Sequence, residues 1–217
     1  MHDTLKRLHA GQRGKGTTIG HFRLNELVSQ IAFAGRRGRV YRRIASLSGV
    51  KPGDSVLDVG SSSGYLARKL AAVAGPDGHV TGVDPSAAAI AYARRRALAG
   101  MTFAVGVAQE LDLPDSSFDA VTSTLALHHI PARKRETALR EMYRVTKPGG
   151  SLLLADFDPS RRPLPLHRGG QRMRRAAATV GSLEDLAAIA GYQVKESGRL
   201  PLLRYVLAIR PRKNDGE

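Results

Sequence analysis

The chain of 217 residues contains no cysteine and no tryptophan, and its purely apolar runs are only a few residues long. Without cysteine it forms no disulfide, offers no thiolate nucleophile and lacks the usual ligands of structural zinc. Its apolar runs fall well short of the roughly 20 residues that a transmembrane helix needs. No apolar segment follows the charged start, so no secretory signal is predicted. Together these absences predict a cytoplasmic protein without a metal site.

Acidic residues are also in short supply. The sequence has 34 Lys and Arg against 19 Asp and Glu, a net charge of +15 and a pI near 10.9. Such a balance is typical of proteins that associate with nucleic acid. The arginines are scattered, however, and only 5% of the residues are aromatic, which leaves little for base stacking. Nucleic acid is therefore an alternative partner that the composition does not favour.

The pattern of the sequence changes near residue 50. Residues 1–20 are polar, basic and rich in glycine, which predicts a flexible tail. Residues 21–49 predict a helical cap of two helices, which Gly35 and Gly38 would separate. The apolar positions are Phe22, Leu24, Leu27, Val28, Ile31 and Ala34 in the first helix, and Val40, Ile44 and Leu47 in the second. This cap either roofs an apolar substrate or packs on the sheet or on a second subunit, so the protein is predicted to be a monomer or a homodimer.

From residue 50 to 217, short apolar strands alternate with amphipathic helices. This β–α repetition predicts an α/β fold with a doubly wound parallel sheet. Strands are predicted at 55–59, 79–83, 101–105, 118–123 and 150–156, with two more near 192–198 and 202–210. The stretches YLARKLAAVAG and SAAAIAYARRRALAG predict two helices between the strands, and Ser86 can N-cap the second. Later helices are predicted at about 131–146 and 182–190. The Pro- and Arg-rich residues 157–180 predict an insertion on the substrate side.

The turn after the first predicted strand, in VLDVGSSSGYLARKL, is the most informative stretch. Gly60 and Gly64 bracket three serines, so a ligand can approach the backbone, and helix amides favour a hydrogen-bond acceptor there. Asp84 ends the next strand, where a carboxylate can accept hydrogen bonds from both ribose hydroxyls. The two features predict an adenosine-type ligand. A dinucleotide fits less well, because Gly-x-Gly-x-x-Gly is absent and Asp58 would crowd a pyrophosphate. Two glycines in such a turn can also serve packing alone.

Residues 50–156 resemble the class I S-adenosylmethionine-dependent methyltransferases, especially the branch with the ubiquinone/menaquinone-biosynthesis C-methyltransferases. VLDVGSSSGYLA is similar to the glycine motif and GVDPS to the ribose-binding strand end. VGVAQELDLPDSSFDAVTSTLALHHI resembles the adenine loop and fourth strand, and VTKPGGSLLLADF the fifth-strand motif. Four motifs in the right order are more specific than any one. The resemblance implies a Rossmann-like seven-stranded sheet of order 3-2-1-4-5-7-6, with the seventh strand antiparallel.

The resemblance also implies S-adenosylmethionine as cofactor and the residues that would hold it. The glycine turn would lie along its methionine part, Asp84 at the ribose, and Ser123 or Thr124 beside the sulfonium. The full set is Asp58, Gly60, Ser61, Ser62, Gly64, Asp84, Pro85, Val107, Ala108, Gln109, Ser123 and Thr124. Two positions depart from the family pattern. Ser62 replaces the middle glycine, and Val107 replaces an aspartate that accepts from the adenine amino group, which leaves Gln109 or Glu110 for that contact.

His128 and His129 follow the fourth predicted strand. An imidazole with a pKa of about 6.5 suits a general base, which methyl transfer needs only where the acceptor must lose a proton. His128 is the candidate catalytic base. The alternative is that these histidines cap the helix near Pro131 or hydrogen-bond within the loop, and for His129 this alternative is preferred.

The predicted function is methyl transfer to oxygen, nitrogen or carbon of a small molecule, either anionic or apolar. One alternative is an RNA methyltransferase that contacts phosphates through Arg161, Arg162, Arg168, Arg172, Arg174 and Arg175. Another is a non-catalytic cofactor-binding protein, suggested by Ser62 and Val107. Steep salt dependence of RNA binding would favour the first alternative, and a folded chain without cofactor affinity the second.

Overall fold

The computed structural model describes residues 35–160 and 178–212. The helices in these ranges are α1 (Arg37–Leu47), α2 (Tyr65–Ala74), α3 (Ala87–Arg94), α4 (Ala132–Val145) and α5 (Leu183–Ile189). The strands are β1 (Ser55–Val59), β2 (His79–Asp84), β3 (Met101–Val105), β4 (Phe118–Thr124), β5 (Thr146–Phe157), β6 (Gln193–Leu200) and β7 (Leu203–Ile209). A short 3-10 turn, Leu127–His129, lies between β4 and α4.

All seven strands form one sheet of order β3-β2-β1-β4-β5-β7-β6. Strands β1 to β5 run parallel to their neighbours, whereas β7 is antiparallel to both β5 and β6. The fold and strand order predicted from the sequence are therefore confirmed. Because β1 to β5 are parallel, their carboxyl ends meet at one edge, where doubly wound sheets bind ligands.

Helices cover both faces of this sheet. On one face, α1, α2 and α3 pack their apolar residues against β1 and β2, with Ile44, Leu70 and Ile90 fully buried. On the other, α4 and α5 bury Leu139 and Leu183. Each such side chain contributes about 1.5–3 kcal/mol on burial. Two cores, one on each face, hold the crevice edge rigid between them.

Several predicted boundaries change in the structure. Helix α1 buries Val40 and Ile44 as predicted, but Gly38 lies inside α1 and does not separate two helices. The atom nearest to a Cβ built on Gly38 would be the Tyr65 hydroxyl oxygen, at 3.5 Å. This position of α1 therefore has no close contact that requires glycine. Strand β5 begins at Thr146, four residues before the predicted start, because Thr146 pairs with Phe118 of β4 and the Gly149 amide donates to the carbonyl of Arg210, directly after β7, at 2.8 Å. Ser86 caps α3 as predicted, accepting from Ala89 at 3.2 Å.

Some predictions fall outside the described residues. They are the flexible tail at 1–20, the first cap helix with its apolar stripe, and most of the insertion at 157–180, including its arginines. Within the described ranges, no helix combines the length and the hydrophobicity that crossing a bilayer requires.

Candidate active site

The turn between β1 and α2 is bonded tightly to the end of β2. The amides of Gly60 and Ser61 donate to the Val83 carbonyl at 2.8 and 3.0 Å, and the Ser62 amide donates to Asp84 Oδ2 at 3.0 Å. These amides point into the protein, although the sequence pattern suggested amides open to a ligand. These three amides are therefore already used within the protein, and the side chains of the turn are the groups left to meet a ligand.

The two glycines of this turn make room for protein side chains. A Cβ on Gly60 would lie 2.4 Å from Cβ of Ala126, and one on Gly64 would lie 2.7 Å from the Phe103 ring. Both glycines also have positive φ, 78° and 70°. Packing and backbone conformation together account for both glycines. This agrees with the alternative, left open by the sequence, that the glycines of this turn serve packing.

Two non-glycine residues at the crevice adopt left-handed backbone. Ser62, in the glycine turn, has φ of 47°, and Leu125, directly after β4, has φ of 57°. For residues with a Cβ this conformation costs roughly 1–2 kcal/mol. Strain of this kind persists where surrounding structure enforces it and gathers at functional sites. Here the Asp84 carboxylate holds the Ser62 amide, and the Ala155 carbonyl holds the Leu125 amide at 2.8 Å.

Four buried polar atoms at the same sheet edge have no hydrogen-bond partner within the described residues. They are Asp58 Oδ2, Ser61 Oγ, Ser123 Oγ and Thr124 Oγ1. Each buried, unsatisfied polar atom costs about 1–3 kcal/mol. All four belong to residues that the sequence nominated for cofactor binding. A ligand with hydrogen-bond donors and acceptors would remove these penalties, so the four atoms mark a candidate binding site.

Asp58 is the most perturbed acid of the site. It is buried at the end of β1, and its Oδ1 accepts a hydrogen bond from the Thr122 hydroxyl at 2.9 Å. Burial, reinforced by the negative charge of Asp84, raises the pKa of Asp58 to about 7. Burial likewise raises the pKa of Asp84, while the amides of Ser86 and Ser62 offset part of the effect. A ligand cation beside these two acids would be strongly favoured.

The predicted adenine side is a shallow apolar surface beyond β3. Val107 is 42% exposed and forms an isolated antiparallel bridge with Glu110. Pro85 is also exposed, and the half-buried Ala108 packs on the core beside the half-buried Gln109. The Gly106 amide donates to the Asp84 carbonyl at 3.2 Å, which joins this turn to the ribose side of the crevice. Val107 and Pro85 are thus two exposed apolar residues against which a flat ring such as adenine can pack.

His128 forms a buried pair with Asp156, a residue that sequence reasoning missed. The ring nitrogen Nδ1 lies 2.8 Å from Asp156 Oδ1, and the His128 amide donates to Oδ2 at 3.1 Å. The two side chains are 6% and 0% exposed. The alternative that a histidine caps α4 is wrong, because its N-cap is Pro131 and no side chain caps it. The available signal for Asp156 was its place at the end of a strand, like Asp84.

Arg135 on α4 is a second residue that sequence reasoning missed. Its side chain is only 4% exposed. Nε donates to the carbonyls of Leu127 and Ile130 at 3.1 and 3.0 Å, and the guanidinium donates to the carbonyl and hydroxyl of Thr179. Arg135 therefore ties the turn that carries His128 to the end of the predicted insertion. No group of three potential metal ligands occurs among residues 35–160 and 178–212.

The sequence matches known proteins over the same part of the fold. A family model described as "Methyltransferase domain" matches residues 56–150. The ubiquinone/menaquinone biosynthesis C-methyltransferase UbiE of Ectopseudomonas mendocina is 38% identical over 132 residues, which cover 58% of this chain and 51% of that protein. Over residues 56–150 this chain is therefore similar to a methyltransferase domain. A demethylmenaquinone methyltransferase of Symbiobacterium thermophilum is 35% identical over 133 residues, or 59% and 52% of the two chains. The chain thus spans about half the length of these curated relatives.

Solved structures of methyltransferases share the fold. An S-adenosylmethionine-dependent methyltransferase of Aquifex aeolicus aligns over 89% of this chain and 98% of its own, with a TM-score of 0.72 and 19% identity. The arsenic(III) S-adenosylmethionine methyltransferase of Chlamydomonas reinhardtii aligns over 78% and 66%, with a TM-score of 0.59 and 28% identity. The first of these likenesses bears on the fold alone, since its sequence is distant.

Proposed function

We propose that this protein transfers a methyl group from S-adenosylmethionine to a small-molecule acceptor. The observation that carries the proposal is the convergence of four unpartnered buried polar atoms at the carboxyl edge of a methyltransferase sheet. They belong to Asp58, Ser61, Ser123 and Thr124, and Asp84 stands beside them at the end of β2. An amino acid joined to a nucleoside offers an ammonium, a carboxylate and ribose hydroxyls to satisfy such a set.

Each polar group of the site has a role in this proposal. Asp58 accepts a hydrogen bond from the ammonium of the methionine part. This contact gives Asp58 Oδ2 the partner that it lacks, and the positive charge favours the ionised carboxylate, whose burial raises its pKa. Asp84 accepts hydrogen bonds from the ribose hydroxyls, while hydrogen bonds from the backbone amides of Ser62 and Ser86 hold its carboxylate in place. Ser123 and Thr124 line the region of the sulfonium. Pro85 and Val107 pack on the adenine, and the Ala108 amide with the Gln109 side chain supplies its polar contacts.

The cofactor, when bound, supplies a methyl group on a positively charged sulfur: the acceptor's electron pair forms the new bond, and the pair of the broken sulfur–carbon bond stays on sulfur. The protein contributes alignment of the acceptor at about 3–3.5 Å. His128 Nε2 takes the proton that an acidic acceptor loses. By their names, one relative reported above is a ubiquinone/menaquinone biosynthesis C-methyltransferase and another is a demethylmenaquinone methyltransferase. We therefore propose an acceptor with an acidic hydroxyl-bearing ring and use 1,4-naphthohydroquinone as the probe.

The test is calorimetric titration with S-adenosylmethionine and S-adenosylhomocysteine. We expect micromolar binding by the wild-type protein and a loss of at least about tenfold in Asp84→Asn, since a hydrogen bond to a charged group contributes about 1.5–3 kcal/mol. Asp119→Asn is the matched control. Asp119 also lies at a strand end, but it pairs with Lys147 at 2.8 Å on β5 and accepts from the Ser55 amide, away from the crevice. A folded wild-type protein that binds neither compound would overturn the proposal.

A further inference from the structure

The contact between His128 and Asp156 joins the turn after β4 to the carboxyl end of β5, and neither residue belongs to the proposed cofactor site. We propose that Asp156 is the positioning residue of the reaction: it holds the His128 imidazole with the hydrogen on Nδ1, so that Nε2 is the nitrogen that accepts the acceptor's proton. This inference rests on the proposed function. Asp156 is not among the proposed cofactor residues, and the sequence motifs gave it no role.

Asp156 grips His128 at two points. Its Oδ1 lies 2.8 Å from the ring nitrogen Nδ1, and its Oδ2 accepts from the amide of the same residue at 3.1 Å. The Phe157 amide donates to Oδ1 at 2.7 Å and so fixes the carboxylate itself. Asp156 is fully buried, so water does not compete for these bonds, and hydrogen bonds of this kind are stronger in a low-dielectric interior. Ring orientation and backbone position are thus set by one carboxylate.

The chemistry of the two groups decides where the hydrogen lies. A carboxylate only accepts hydrogen bonds, so the imidazole nitrogen facing it must be the donor. In the neutral ring the other nitrogen, Nε2, then carries the lone pair. When Nε2 takes a proton, the imidazolium forms against a carboxylate that is already in place. Such an arrangement favours proton uptake at one chosen atom, which is the logic of histidine–carboxylate pairs in general base catalysis.

The turn that carries His128 is fastened to the cofactor side of the crevice. Ala126, two residues earlier, packs against Gly60 of the glycine turn. Arg135 holds the turn from the other side through the carbonyls of Leu127 and Ile130. The His128 ring also lies against Phe157, with centroids 5.2 Å apart. The pair is therefore held at the edge where Ser123 and Thr124 present their unpartnered hydroxyls.

The decisive test is the tautomer of His128 in the wild-type protein. Long-range ¹H–¹⁵N correlation spectra of histidine-labelled protein, assigned with His128→Gln, show which ring nitrogen carries the hydrogen. We expect Nδ1–H with an unprotonated Nε2. In Asp156→Asn, where one oxygen becomes an NH₂ donor, we expect this tautomer to be lost. A wild-type His128 with its hydrogen on Nε2 overturns the inference, and this readout requires neither cofactor nor acceptor.

A second arm measures methylation of 1,4-naphthohydroquinone. We expect Asp156→Asn to lower kcat by about 10²–10⁴, the range of general base catalysis, with the dissociation constant of S-adenosylhomocysteine unchanged. Equal kcat in the wild type and Asp156→Asn overturns the inference while the proposed function stands. A wild-type protein that fails to bind S-adenosylhomocysteine removes the proposed function, whatever the tautomer.

Discussion

A Cβ atom on Gly60 would lie 2.4 Å from the Cβ of Ala126, a separation that real Cβ atoms essentially never show. Gly60 belongs to the turn after β1, and Ala126 lies between β4 and the turn that carries His128. The glycine turn and the segment that leads to His128 are therefore in close van der Waals contact at Gly60 and Ala126. Any side chain at position 60 must push the His128 turn away from the glycine turn.

This contact predicts that Gly60→Ala destabilises the fold by about 2–5 kcal/mol, the sum of overpacking and a left-handed residue with a Cβ. The double variant Gly60→Ala/Ala126→Gly should recover the steric part, because the next nearest atom is Ala126 Cα at 3.7 Å. The φ penalty of about 1–2 kcal/mol remains. Urea unfolding of both single variants and the double variant gives the coupling. Additive effects would mean that the contact is relieved in another way.

Ser62 should be a position where glycine improves the protein. Its φ of 47° costs about 1–2 kcal/mol, which exceeds the roughly 0.5–1 kcal/mol that a glycine adds to the entropy of folding. We expect Ser62→Gly to raise the free energy of unfolding by about 0.5–1 kcal/mol. Ser61→Gly is the control, because Ser61 has no positive φ and should gain nothing. Denaturant midpoints of the two variants decide the matter, and a less stable Ser62→Gly would show that the Ser62 side chain makes a compensating contact.

Asp58 predicts a pH dependence of stability. The unfolded chain releases this proton near pH 3.8, whereas the folded protein holds it up to about pH 7. The contribution of Asp58 to stability is therefore greatest below pH 3.8 and is lost as the pH rises to about 7. Asp58→Asn should be more stable than the wild type at pH 8, by an amount on the order of a few kcal/mol, and much closer to it at pH 4. A constant difference across this range would contradict the raised pKa.

The same acid predicts a pH dependence of cofactor binding. If the carboxylate of Asp58 receives the ammonium, affinity follows the ionised fraction and rises about tenfold between pH 6 and pH 8 for a pKa near 7. Binding at pH 6 should also release a proton, which titrations in buffers of different ionisation enthalpy detect. Asp58→Asn should bind weakly with little dependence on pH. A wild-type affinity that stays level from pH 6 to pH 8 would separate Asp58 from the ammonium.

The fold was predictable because local signals agreed with one another. Alternating apolar strands and amphipathic helices, punctuated by Gly, Asp and Pro, predict a doubly wound parallel sheet, and Ser86 marked a helix start. The strand order came from the resemblance to the methyltransferases. Gly38 shows the limit of such signals: a glycine that breaks a helix in isolation is carried through α1, where Val40 and Ile44 anchor the helix to the core. Tertiary packing overrides local propensity at such positions.

The sequence nominated residues for the candidate site but could not give the contacts between them. Asp58, Ser61, Ser123 and Thr124 were nominated by motif, and the structure leaves an atom of each unpartnered. Asp156 was hidden because its partner His128 is 28 residues away, so the bond depends on how the ends of β4 and β5 align. The hydrogen bonds from the glycine-turn amides to Val83 and Asp84 likewise depend on how the ends of β1 and β2 align. Residue type and spacing cannot specify either contact.

Arg135 and Arg140 lie on the same helix and provide a matched pair for the last prediction. Arg135 is 4% exposed and donates to the carbonyls of Leu127 and Ile130, whereas the Arg140 side chain is 66% exposed and pairs only with Glu136 one turn away. Arg135→Gln breaks a buried hydrogen-bond network and should cost about 2–4 kcal/mol. Arg140→Gln removes an exposed pair and should cost at most about 0.5 kcal/mol.

The structure assigns the larger loss to a particular place. Because Arg135 fastens the turn that carries His128, amide hydrogen exchange in Arg135→Gln should rise first at residues 127–130 and at Thr179, before the sheet is affected. Arg140→Gln should leave exchange at these residues unchanged. If both variants lose the same stability, or if exchange in Arg135→Gln rises evenly over α4 and the sheet, then Arg135 supports the helix as a whole. The turn under His128 would in that case be held by its own backbone bonds and by Asp156.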